Sequence, residues 1–172
     1  CRDNVQRKPL DQLLQYDVYK VFDVNLTKPH YTYGILNQLM QSADFIKFND
    51  EELLEIAKAM NSPFESLEEN MAFIEDKTKA TAMCVTKGKH GALLLWEGKI
   101  YENGGYPIEV ADTVGAGDSF LAALITSLLT GKEPQYSIDF ACAVGALVAE
   151  APGANPEVPN SKIENLMAVI KI

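Results

Sequence analysis

An α/β fold with a mostly parallel sheet is what the sequence predicts, on three observations. Strand-like and helix-like patterns alternate through the first third of the chain. Polar residues (Asp23, Asn25 and Asn49) fall at the carboxyl ends of the predicted strands. A glycine-rich stretch, residues 112–118, opens directly into an apolar helix. Strand–helix–strand alternation calls for right-handed crossovers and parallel pairing, and such sheets collect ligands beyond their strands' carboxyl ends.

The elements follow in order. Pro9–Tyr16 reads as a short helix with Leu10, Leu13 and Leu14 on one face and Pro9 in its first turn. A strand is expected over Val18–Val24, a helix over Tyr31–Gln41 with Ile35, Leu36 and Leu39 inward, a strand over Ala43–Phe48 and a helix over Glu51–Met60. Ser66 with Glu69 three residues on marks the start of another helix, to Lys77. Thr81–Thr86 is a strand, residues 86–91 a tight turn, and Ala92–Trp96 and Lys99–Glu102 hairpin strands turning at Glu97-Gly98. Two long helices, Gly117–Thr130 and Pro134–Glu150, are apolar on most faces and are expected to be well buried, and a last helix, Ser161–Ile170, packs outside. No repeat, low-complexity tract or linker splits the chain, so residues 1–172 are expected to be one domain.

The 172 residues suffice for a sizeable core, and 47% hydrophobic with 23% charged residues is ordinary for a globular chain. A formal net charge of -9 without a basic stripe argues against nucleic-acid and anionic-membrane partners. Cys1, Cys84 and Cys142 have no CxxC spacing and fit a reducing, cytoplasmic setting with inert thiols. His30 and His90 sit in turn-like surroundings outside any metal-ligand spacing. The Asn25-Leu26-Thr27 sequon is read as accidental. The longest uncharged run, Ser119–Gly131, is too short to span a bilayer. The chain opens on Cys1 without an initiator Met, and a fragment boundary is expected there.

Asp112-Thr113-Val114-Gly115-Ala116-Gly117-Asp118 is the strongest motif. Glycines let backbone N–H groups approach an anion, and a helix start adds its positive dipole end. A carboxylate in an anion site is repelled by its ligand unless it has chemical work, and for Asp118 that work is general base catalysis. Alone, the stretch serves equally as a glycine turn whose Asp118 or Ser119 caps a helix. It is not a Walker A loop, because no Lys-Ser or Lys-Thr follows its glycines. Asn49 with Glu52 satisfies a capping box, the stronger reading from spacing, while the functional one is phosphate and hydrated Mg²⁺ at a strand end. Thr86 and Gly88 fit either a nucleotide border or a hairpin turn. Gly153 is by itself a helix stop.

Together these residues resemble the ribokinase-like sugar kinases, the phosphofructokinase B family. The resemblance rests on Asp-Thr-Val-Gly-Ala-Gly-Asp-Ser-Phe at 112–120, supported in order by Val21–Leu26, Ile46–Leu53, Val85–Gly88, Phe140–Ala143 and Gly153-Ala154. Val21–Leu26 followed by Pro29-His30-Tyr31 is most similar to the fructokinase branch. The resemblance implies a three-layer αβα fold and ATP-dependent phosphorylation of a sugar hydroxyl, with ATP, Mg²⁺ and in many members K⁺. It implies Asp118 as catalytic base and Gly115, Ala116 and Gly117 as anion-hole amides. Asn49 and Glu52 would lie near the phosphates and Mg²⁺, Glu52 through water. Thr86 and Gly88 would border the nucleotide, the helix around Cys142 and Gly145 would wall the adenine, and Asp112, the Val114 carbonyl and the Gly153 loop would form a monovalent-cation site.

The chain departs from the pattern at Thr27, where fructokinases often carry Arg, and at Cys142, where a larger polar residue is common. The family's N-terminal half, with its Gly-Gly signature, most sugar contacts, first strands and dimer-forming lid, is absent from the sequence. The 172 residues alone are therefore expected to have little activity, with a homodimer among the states open to the full-length protein. Kinases for ribose, a nucleoside or 2-keto-3-deoxygluconate are the rivals within the class. A non-catalytic nucleotide-binding protein on the same scaffold is the rival outside it.

Overall fold

The computed structural model describes residues 4–26, 31–153 and 156–168, with side chains from residue 9 onward. The chain divides into two compact units, Cys1–Val85 with Leu95–Gly98 and Thr86–Leu94 with Lys99–Ile172.

In the first unit the element order is α1 (Asn4–Leu13), β1 (Val21–Asp23), α2 (Tyr33–Ser42), β2 (Phe45–Asn49), α3 (Asp50–Ala59), α4 (Leu67–Lys77) and β3 (Ala82–Thr86), whose last residue begins the second unit. Strands β1, β2 and β3 are neighbours in that order. β1 and β2 run parallel with Val21 opposite Phe45 and Asp23 opposite Lys47, as the α2 crossover between them requires. Phe45, Ile46, Phe48, Leu53, Ile56, Met71, Ile74 and Met83 form the fully buried core. Each such side chain contributes roughly 1.5–3 kcal/mol by leaving water. The α3–α4 connection is held by a buried polar group. Asn70 donates to the Phe64 and Ser66 carbonyls at 3.2 and 2.8 Å and accepts from Ser62 Oγ at 2.6 Å, so its burial leaves no polar atom unpaired.

Two readings of this part are corrected. Helix α1 starts at Asn4, so Pro9 lies inside it rather than in its first turn, and Leu13 is 62% exposed instead of inward. Leu10 and Leu14, about one turn apart, are half-buried. β1 is shorter than expected: its paired register covers Val21–Asp23, flanked by main-chain bonds at Lys20 and Val24, while Val18 and Tyr19 stay exposed.

The second unit holds β4 (Ala92–Trp96, its last two residues counted with the first unit), β5 (Lys99–Asn103), α5 (Ala116–Leu129), α6 (Pro134–Glu150) and α7 (Asn160–Ala168). The chain passes from β4 to β5 through Glu97 and Gly98, both at positive φ (51° and 72°). That is the signature of a tight hairpin turn matching the twist of its strands. Residues 86–91 close through Lys87 N–H donating to the Gly91 carbonyl at 2.7 Å, with a short 3₁₀ turn at Gly88–His90 inside. α6 begins with Pro134 at its start and ends at Ala151, within Ala-Pro-Gly, as expected. Its Ser137 hydroxyl pairs with Ser127 of α5 at 2.9 Å in a buried contact. α5 is less buried than its composition implied: Phe120, Leu124, Ser127 and Leu128 are covered, but Leu129 is 57% exposed. Apolar character buries a helix only where a neighbour covers it. Residues 169–170 of the last predicted helix lie outside the described residues. Among those described, no helix is long and apolar enough to cross a membrane.

Two main-chain segments cross with no room for side chains between them. A Cβ on Gly91 would fall on the Asn103 carbonyl and the Gly105 nitrogen, and one on Gly105 would fall on the Lys89 carbonyl. Gly91 also has φ 80° and ψ -138°, a backbone open essentially to glycine alone. Gly91→Ala should therefore cost at least about 2 kcal/mol, read as a lower urea midpoint; an unchanged midpoint would contradict the crossing.

Candidate functional site

The predicted site residues fall into two groups, one in each unit. In the first, β2 ends at Asn49, which caps α3: its Oδ1 accepts the Glu52 N–H at 2.8 Å, and Glu52 Oε2 accepts the Asn49 N–H at 2.8 Å. This is the reciprocal box expected from the spacing, and the acidic first turn Asp50-Glu51-Glu52 suits the positive end of the helix. The other oxygen of Glu52 does something the spacing did not indicate. Oε1 accepts the N–H of Leu26, 3.3 Å away, where the chain leaves β1. One residue before that exit's Val24, Asp23 Oδ1 lies 3.0 Å from Lys47 Nζ, whose side chain is only 12% exposed. The contact is an ion pair by distance, without hydrogen-bond alignment.

In the second unit the glycine stretch is shaped by Gly115. It takes a left-handed backbone (φ 79°, ψ -10°) as N-cap of α5, and its carbonyl receives the helix's first i→i+4 bond, from Ser119 N–H at 2.9 Å. Ala116 N–H turns back to the Thr113 carbonyl at 3.3 Å. Among the described residues, the N–H groups of Gly117 and Asp118 have no acceptor. Two first-turn amides are thus free at a helix start, and the Asp118 side chain beside them is exposed. Upstream, Asp112 Oδ1 accepts the Val114 N–H at 3.0 Å. The N–H groups of Ala111 and Asp112 both donate to the Ala149 carbonyl of α6, at 2.8 and 3.1 Å. The loop is therefore tied to the end of α6, four residues before Gly153, which is exposed at φ 87°.

Gly145 lets α6 approach this same loop: a Cβ there would sit 3.3 Å from the Ala116 carbonyl and 3.3 Å from Phe120 Cβ. One turn earlier Cys142 is buried and unpaired as a thiol. Burial first, and then the Asp139 carboxylate, push its pKa up to about 12, against a smaller opposing pull from Lys87. Thr86 is half-buried at the end of β3, and Gly88 is exposed at φ 57°. Between them Lys87 pairs with Glu102 at 2.7 Å.

Sequence reasoning missed the polar network behind this wall. Buried Asn103 donates to Asp139 Oδ1 at 2.8 Å and accepts the Gly105 N–H at 2.8 Å. Gln135 reaches the same Asp139 oxygen at 3.0 Å, and Tyr106 donates to the Asp139 carbonyl at 3.2 Å. Burial, with Asp139 adding to it, raises the Tyr106 pKa to about 12. The contacts span 33 and 36 residues, and only the Gln135/Asp139 spacing of four was visible in advance.

For Mg²⁺ the donor set fits one mode of binding. Among the described residues no three His, Cys, Asp or Glu side chains gather to hold an ion, and Mg²⁺ that travels with nucleotide phosphates needs only a carboxylate or two and water. Glu52 retains lone pairs beyond its two amide bonds. For a monovalent cation, Asp112 and Val114 lie together, with hard oxygen donors that suit such an ion.

The fold agrees with what the chain matches. Residues 11–161 match the family model described as pfkB family carbohydrate kinase, and the chain belongs to that family. It is 31% identical over 131 residues to a fructokinase from Escherichia coli, covering 72% of this chain and 41% of that protein. Among solved structures it is similar to Arabidopsis thaliana ribokinase complexed with ribose and ATP (TM-score 0.71, 27% identity, 87% of this chain and 47% of that one). It is also similar to a 2-dehydro-3-deoxygluconokinase from Thermotoga maritima (TM-score 0.77, 24% identity, 95% and 54%), which bears on the fold. The ribokinase-like α/β fold with a mixed, mostly parallel sheet is thereby shown. The chain spans about half the length of the proteins it matches.

Because the Cys142 thiol ionises only near pH 12 and is buried, iodoacetamide at pH 8 should leave the peptide containing it unmodified in the native protein and label it in urea. Equal labelling in both states would contradict that environment.

Proposed function

We propose that the full-length protein transfers the γ-phosphoryl group of ATP to a sugar hydroxyl, with fructose as the first substrate to test. The observation that carries this reading is the start of α5: two free amides, Gly117 and Asp118, beside an exposed carboxylate, on a loop anchored to α6. A site built only to bind phosphate gains nothing from a carboxylate at that point. A site that must deprotonate a hydroxyl while charge develops on a phosphoryl group needs both.

In this reading Asp118 removes the proton of the attacking hydroxyl. Gly117 and the Asp118 amide, with Gly115 and Ala116 shaping the turn, receive the negative charge on the phosphoryl oxygens. Asn49 and Glu52 stand near the phosphates, and Glu52 accepts hydrogen bonds from Mg²⁺-bound water. Mg²⁺ held there through water would supply charge neutralisation to the phosphates. Thr86 and Gly88 border the nucleotide, and α6 near Cys142 and Gly145 backs the base. Asp112, the Val114 carbonyl and the Gly153 segment hold a monovalent cation such as K⁺. A cytoplasmic setting and small-molecule partners go with this chemistry; a homodimer of the full-length protein is part of the same proposal.

Fructose is favoured by the fructokinase relative at 31% identity. Ribose remains a specific second reading, because a ribokinase from Arabidopsis thaliana is 30% identical over 130 residues.

In the full-length protein Asp118→Ala should lower turnover by roughly 10²–10⁴-fold, with the ATP dissociation constant by calorimetry within about threefold of the parent, since the base is not needed to hold nucleotide. Turnover within a few-fold of the parent would remove Asp118 from the role. A panel of fructose, ribose, nucleosides and 2-keto-3-deoxygluconate should give its highest kcat/KM on fructose; equal rates on fructose and ribose would sink that choice.

A further inference from the structure

Glu52 makes more bonds than either of its expected roles requires. A capping box needs one carboxylate oxygen, on the Asn49 N–H, and a residue accepting from metal-bound water needs none to the main chain. Here the two oxygens reach two different strand exits: Oε2 takes Asn49 N–H at the end of β2, 2.8 Å away, and Oε1 takes Leu26 N–H just past the end of β1, 3.3 Å away. The residue itself is fixed in turn, because its own N–H donates to Asn49 Oδ1 at 2.8 Å. One turn further along α3, Glu55 accepts from Tyr31 OH at 2.8 Å, where the chain returns toward α2. Two carboxylates on one face of α3 thus hold the chain on both sides of the β1–α2 connection.

The β1–β2 ladder makes the bridge consequential. It continues to Val24 N–H on the Lys47 carbonyl, at 2.9 Å. Two residues on, the Leu26–Glu52 bond ties the main chain next to Asn25 to the cap of α3. Parallel strands deliver ligand-contacting groups from such exits, and displacements near 1 Å at a reacting centre cost large factors in rate. We infer that Glu52 is a positioning residue: its carboxylate ties the exit of β1 to the exit of β2, and it acts on catalysis through the main chain at Leu26. For its catalytic consequence this rests on the kinase reading above; the bridge itself does not.

The test has a structural arm and a kinetic arm. Glu52→Gln keeps the size of the side chain but replaces one acceptor by an amide NH₂, which cannot accept from a main-chain N–H. Glu52→Asp keeps the charge at the start of α3 and gives up the reach. Amide hydrogen exchange on this chain should show Leu26 exchanging at least tenfold faster in Glu52→Asp, and Leu26 or Asn49 doing so in Glu52→Gln, with protection in α4 and β3 kept. Glu52→Asp stands in should Glu52→Gln not fold. In the full-length enzyme the same variants should lose about tenfold or more in kcat, a loss that persists at Mg²⁺ concentrations saturating for each variant. Unchanged exchange at Leu26 in Glu52→Asp, or at both Leu26 and Asn49 in Glu52→Gln, overturns the bridge. Faster exchange with parental kcat overturns its positioning role, and so does a kcat restored by raising Mg²⁺, which would make Glu52 a metal-site residue alone. If the parent full-length protein phosphorylates no sugar, the kinase reading falls while the exchange result still decides the bridge.

Discussion

A helix that starts at the end of a loop leaves its first amides without partners, and the two candidate centres of this protein are two different answers to that constraint. At α3 the amides are satisfied internally, by Asn49 and Glu52 exchanging bonds. At α5 they are not: Gly115 turns the chain through a left-handed backbone and offers no side chain, so the Gly117 and Asp118 amides have no acceptor among the described residues. A serine or asparagine cap at that position would occupy one of these amides. The loop gains its rigidity from elsewhere, through Asp112 on Val114 and through the Ala149 carbonyl holding two consecutive amides.

This division explains where polar networks sit. The open helix start is backed by α6, which approaches it through Gly145 and carries Asp139 and Cys142 a little earlier. Asp139 gathers Asn103 and Gln135 on one oxygen while its carbonyl takes Tyr106, so the wall of the second unit is cross-linked from β5 to α6 without a disulfide or metal. Such networks are costly if half-satisfied and stiffening if complete.

Legibility from the sequence followed the range of the interaction. The start and end of α6 were readable to the residue because Pro134 and the Ala-Pro-Gly that follows Glu150 act locally. The caps at Asn49 and Ser66 were readable because cap and partner lie three residues apart. The reading of α1 failed for a local reason as well: Pro9 was taken as a helix start, where the first turn lies at Asn4. The second bond of Glu52 spans 26 residues and left no trace in any short pattern. The exposure of Leu129 was equally invisible, since an apolar helix looks the same in sequence whether one side or all of it is covered. The motif at Asp112–Asp118 was visible, but not that Ala116 N–H turns back to Thr113 while Gly117 and Asp118 stay free.

The glycine crossing at Gly91 and Gly105 has a consequence for how this fold can vary. It clamps the start of β4 and the chain just past β5 against each other at the hairpin's base, independently of what lies at the tip. The turn between the strands, at the exposed Glu97 and Gly98, can lengthen without opening that base, because loop length is entropically inexpensive once the base is closed. A short inserted peptide or a label is therefore better tolerated there than anywhere at the crossing itself.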